Sequence, residues 1–117
     1  LSAYHPNLPH GAGLVLISRA YFGFFIERGL CAEKFVRIAK TLGFKEANEP
    51  KDFLVALEHL LQECGVADLT MNQFGIKEDE LPGFAQEVRT SLPLAFDCDP
   101  IDLTVKDCEE IYKRSFK

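Results

Sequence analysis

Leu14-Val15-Leu16-Ile17-Ser18-Arg19-Ala20-Tyr21-Phe22-Gly23-Phe24-Phe25-Ile26 is the most apolar run of the chain. Its apolar side chains cover nearly the whole circumference of a helix, which predicts a central, buried helix. The helix is expected from His10 or Gly11 to about Arg28, with Gly29 as its terminator. Ahead of it, Tyr4-His5-Pro6-Asn7-Leu8-Pro9 reads as a stiff loop held extended before each proline. Gly11, Ala12 and Gly13 spend helix propensity, Gly costing about 1 kcal/mol against Ala. Their use is expected in the close approach of another backbone or a ligand.

Outward from this helix the period stays helical. Phe35, Ile38, Ala39 and Leu42 make a stripe over about Ala32–Leu42, stopped by Gly43. A third helix is expected over about Pro50–Cys64, with Phe53, Leu54, Leu57, Leu60, Leu61 and Cys64 inward and Gly65 closing it. Val66–Ile76 reads as loop, Lys77–Leu81 as a single turn, and Pro82–Ser91 as a fourth helix. Leu92–Asp102 is irregular but rich in apolar residues, so it is expected to pack over the core or line a cleft. Thr104 and Asp107 cap a last helix that turns Val105, Cys108, Ile111 and Tyr112 inward. No alternation of period two survives. The fold class is all-α, a compact multi-helix bundle of about five helices in one domain.

Composition narrows the function. A net charge of −5 without a basic patch argues against nucleic acid or an anionic membrane as partner. The apolar run is shorter than the roughly 20 residues a membrane span needs. Cys31, Cys64, Cys98 and Cys108 show no metal-finger spacing and read as buried, reduced thiols of a cytoplasmic protein. The chain opens without Met, inside a loop of functional appearance, and is expected to be a piece of a longer protein.

Three histidines are the main candidates for chemistry. His59 lies off the apolar stripe of its helix and reads as a surface residue. His5 and His10 share the opening loop, and imidazole suits Zn and Fe. Two ligands do not make a site, so the residues alone leave His10 open as metal ligand or as a polar group at a helix start. Glu78-Asp79-Glu80 reads as a solvated helix start. There is no phosphate loop after a strand and no nucleophile elbow.

Leu1 to Leu14, which contains Pro9-His10-Gly11, resembles the second half of the histidine signature of iron-containing (group III) alcohol dehydrogenases. The segment from Glu33-Lys34-Phe35 to Gly43 is similar to that family's EKF…IA…LG helix. Phe74-Gly75-Ile76 with the acidic residues after it, and Asp99-Pro100 through Leu103-Thr104 to Ile111-Tyr112, are similar to two further family segments in the same order.

The resemblance implies the C-terminal helical domain of such an enzyme, in the dehydroquinate synthase-like fold, over residues 1–117. It implies a metal, Fe²⁺ or Zn²⁺, held by one Asp and three His, of which only His10 falls in this chain. The other ligands and the NAD- or NADP-binding N-terminal domain would precede Leu1. His5 and Phe96 are implied only as lining of the substrate cleft, and no catalytic residue is assigned. The implied reaction interconverts primary alcohols and aldehydes, with a small alcohol or aldehyde as substrate and the nucleotide-binding domain as partner. A homo-oligomer is consistent with it. The alternatives are a relative acting on glycerol or sugar-derived substrates, and a free-standing helical interaction domain.

Overall fold

The computed structural model describes all residues, Leu1–Lys117. Five α-helices follow one another: α1 His10–Glu27, α2 Ala32–Thr41, α3 Asp52–Glu63, α4 Leu81–Ser91 and α5 Val105–Ser115. Short 3₁₀ turns occupy Met71–Phe74, Glu78–Glu80 and Pro93–Cys98. There are no strands, so the all-α class expected from the helical period holds. The first of these turns lies in a stretch whose sequence reads as plain loop.

The helix ends follow from local chemistry. Gly29 and Gly65 adopt left-handed backbone, each at φ +69°. That conformation lets the next residue reach back: Leu30 N–H donates to Phe25 O, and Val66 N–H to Leu61 O. At the start of α5, Thr104 N–H donates to Asp107 Oδ2 at 2.9 Å, and Asp107 N–H donates to Thr104 Oγ1 at 3.2 Å. The reciprocal cap satisfies two amides that a helix start leaves free.

α1 packs against α3 and α5; α2 lies on α3, and α4 on α5. The result is a slab, 40 × 32 × 19 Å. Its short dimension is only about two helix diameters. Few helices can therefore be enclosed on all sides. This corrects the expectation for α1, where only Gly13, Leu16, Gly23, Phe24 and Phe25 are buried. Leu14 is 53 % exposed. Ile38 and Leu42 of the α2 stripe, and Leu60 of α3, also face outward. The thiols divide too: Cys108 is buried and Cys31 half-buried, whereas Cys64 and Cys98 are exposed. Cys64 follows the last turn of α3, beyond the helices that cover its middle.

Two apolar clusters fill the slab. The larger joins Phe24, Phe25, Phe35, Phe53, Leu57, Leu61, Phe96 and Ile111. Phe22 meets Phe53 edge-on at 5.0 Å between ring centres, and Phe35 lies 5.1 Å from Phe53. Such pairs add about 0.5–1.5 kcal/mol beyond burial. The smaller cluster joins Leu8, Leu16, Met71, Ile76, Leu81 and Phe84.

Phe24 is fully enclosed, so Phe24→Ala should lower unfolding free energy by about 3–5 kcal/mol. Thr104→Ala should cost about 1 kcal/mol through loss of the α5 cap. Leu94→Ala, at a side chain left 79 % exposed, should leave stability within about 0.5 kcal/mol. Denaturant unfolding of the three variants checks the order.

Candidate metal centre at the opening loop

The loop before α1 is folded rather than extended. Tyr4 N–H and His5 N–H both donate to Leu1 O at 3.0 Å, and Leu8 N–H donates to His5 O at 2.9 Å. These turns bury Leu8, only 2 % exposed, in the smaller cluster. Its Cδ2 lies 3.5 Å from where a Cβ on Gly13 would sit, an ordinary van der Waals contact. A Cβ on Gly11 would meet nothing within 4 Å. What lies nearest Gly13 is the Leu8 side chain of the chain's own loop, and no other backbone comes close to either glycine.

His10 is the first residue of α1 and is exposed. It borders a hollow of about 270 Å³ with Leu1, Ser2, Ala3, Gly13, Leu14, Ile17 and Tyr112. An exposed imidazole has a nitrogen to offer as a metal donor. No three His, Cys, Asp or Glu side chains of the chain converge on a common point. His10 therefore makes no metal site with other side chains of these 117 residues, and its donor nitrogen could serve only as one ligand of a larger set.

His5 pairs with Glu80 and packs on Phe84. Its Nε2 lies 3.0 Å from Glu80 Oε1, its side chain is 15 % exposed, and its ring stands edge-on to Phe84 at 6.0 Å. Tyr4 lies against the same Phe84 ring at 5.3 Å. Glu80 in turn accepts Lys77 N–H at 2.7 Å. That amide, with the His5 hydrogen bond adding to it, holds the Glu80 carboxyl below its usual range. Glu80 thus does more than open a solvated helix. Sequence offers no sign of this pairing, because the partners are 75 residues apart. His59 is a surface residue as read, its side chain 71 % exposed.

Phe96 is buried at 8 % exposure, with the Arg89 guanidinium 4.6 Å above its ring. Its neighbours Leu92 and Leu94 stay outside. Phe96 borders a cavity of about 260 Å³ with Ile17, Tyr21, Asp99, Cys108 and Tyr112, among others. This cavity and the hollow at His10 are distinct but meet at Ile17 and Tyr112. Inside it, Tyr21 Oη donates to Asp99 Oδ1. Burial first, and then the Asp99 carboxylate, push the Tyr21 phenol well above its ordinary value. Burial also raises Tyr112.

The same arrangement of helices is found in a known enzyme. Two crystal structures of an archaeal halo-thermophilic alcohol dehydrogenase from a Red Sea brine pool, one a mutant and one a ligand complex, superpose on this chain. Each gives a TM-score of 0.86 over 98 % of this chain at 24 % identity. The chain has the fold of one part of that enzyme. It spans 30 % of the length of the enzyme chain. No family model matches the sequence, and comparison with the curated proteins finds no match. No helix is long and apolar enough to cross a membrane.

The raised Tyr21 pKa gives a pH signature. Burial and Asp99 favour the protonated phenol, so its contribution is fully present below about pH 10, the ordinary tyrosine value, and is lost as pH rises further. Thermal melts should show falling stability above that pH. Tyr21→Phe should reduce the alkaline fall, and absorbance titration should lose its last-ionising tyrosine.

Proposed function

We propose that this chain is the helical metal-binding part of an alcohol dehydrogenase, with His10 supplying one ligand to a metal shared with residues outside these 117. The observation that carries the reading is an exposed imidazole at the first residue of α1, in a fold shared over 98 % of the chain with an alcohol dehydrogenase. The resemblance of Pro9-His10-Gly11 to the histidine signature of the iron-containing family agrees with it.

In this reading Fe²⁺ or Zn²⁺, when bound, polarises the oxygen of a primary alcohol or aldehyde while hydride passes to or from NAD or NADP. This chain's own part is to hold. His10 contributes one nitrogen, and α1 fixes where that nitrogen stands. The hollow beside His10 is lined mainly by apolar groups and backbone, which suits the carbon chain of a small alcohol better than a charged substrate.

The slab form supports a partner domain. The chain exposes 7292 Å², against about 6,400 Å² for a compact monomer of its mass. Leu14 and Tyr4, close to His10 in the chain, are over half exposed. The partner is the protein's own nucleotide-binding domain, seated on that side.

In the intact protein, His10→Ala should abolish metal-dependent turnover and lower bound Fe or Zn at least about tenfold, with the helical circular dichroism unchanged. Normal activity and metal content in that variant would refute the ligand assignment. The 117-residue chain by itself should retain little Fe or Zn on dialysis, and stoichiometric tight metal would count against the shared site. Reading the gene upstream of the Leu1 codon supplies an independent test: a dinucleotide-binding βαβ pattern supports the enzyme, and a start codon next to Leu1 opposes it.

A further inference from the structure

We propose that His5 and Glu80 form a positioning pair that holds the first turn of α1, and with it His10, in place. The start of α1 lacks the devices that usually stop a helix from fraying. Its N-cap is Pro9, which makes no side-chain cap, and there is no acidic residue in its first turn. What holds it is the loop before it. Leu8 seats that loop in the smaller cluster, and Tyr4 rests on Phe84.

The hydrogen bond from His5 to Glu80 is the polar tie between this loop and the distant start of α4. An ionised carboxylate only accepts, so Nε2 of His5 carries the proton and donates. Glu80 is itself fixed from the other side by Lys77 N–H. The tie is therefore made to an anchored group and not to a freely rotating side chain. His5 gives Nε2 to Glu80, and no three metal-ligating side chains gather around the pair, so its place here is explained by the tie alone.

The consequence for the metal rests on the reading of His10 as a ligand; the consequence for the loop does not. The test compares His5→Ala, His5→Gln and His10→Ala in the intact protein. Glu80 is left untouched because it also caps its own turn. Hydrogen exchange at the Tyr4, His5 (residue 5 in the variants) and Leu8 amides reads the loop, and Phe24 and Phe25 serve as core controls. His5→Ala should speed exchange of the loop amides about fivefold or more while leaving the core amides unchanged. His5→Gln, whose amide can still donate to Glu80, should restore most of the protection.

Equilibrium Zn²⁺ binding should weaken about tenfold in His5→Ala and recover in His5→Gln. Unchanged loop exchange in His5→Ala would overturn the pairing as a positioning device. A loss of Zn²⁺ as complete as in His10→Ala, without recovery in His5→Gln, would also overturn it, by making His5 a ligand. If His10→Ala leaves Zn²⁺ binding untouched, the ligand reading fails on its own, and the loop exchange still decides the inference.

Discussion

Both apolar clusters are built on one helix, α1. Leu16 belongs to the smaller cluster and Phe24 and Phe25 to the larger, on the same rod two turns apart. α3 and α5 lean on that rod, α2 meets it where Phe35 stands edge-on to Phe22, and α4 joins it in the smaller cluster through Leu81 and Phe84. The opening loop docks where α1 begins. Any change in the direction of α1 would shift two cores together, because close-packed interiors transmit strain and do not absorb it.

Much of this frame is legible in the residues. The five helices follow from apolar spacing, and their ends from Gly29, Gly65 and the Thr104/Asp107 pair. Burial is less legible, for a physical reason. An apolar stripe says that a face can be buried, but a slab two helices thick does not offer a neighbour to every face. Leu14, Ile38, Leu42 and Leu60 are apolar and exposed for that reason. A run apolar all round, as at Leu14–Ile26, carries no phase, and so it cannot report which side meets α3 and α5.

The site divides along the same line. His10 stands out in sequence because a histidine ends a proline-stiffened loop at a helix start. Its neighbourhood does not stand out, being assembled from Leu1–Ala3, α1 and Tyr112 of α5. His5 and Phe96 carry the same lesson. Their segments are legible, but the partner of His5, Glu80, is not, nor are the Arg89 guanidinium and the cavity that border Phe96. Tyr21 and Asp99 pair across the cavity beside Phe96 although they lie 78 residues apart in the chain.

The burial of Leu8 has a consequence for how the molecule assembles. Its companions Met71, Ile76, Leu81 and Phe84 lie more than sixty residues further along. The larger cluster also spans the chain, from Phe24 to Ile111, but its α2–α3 part closes over short separations. The seat for Leu8 exists only once the segment from Met71 to Phe84 has come in, and closing so long a loop costs entropy before it returns any contact. The loop thus docks only after the segment from Met71 to Phe84 has come in. The histidine at its end is presented in final form no earlier than that.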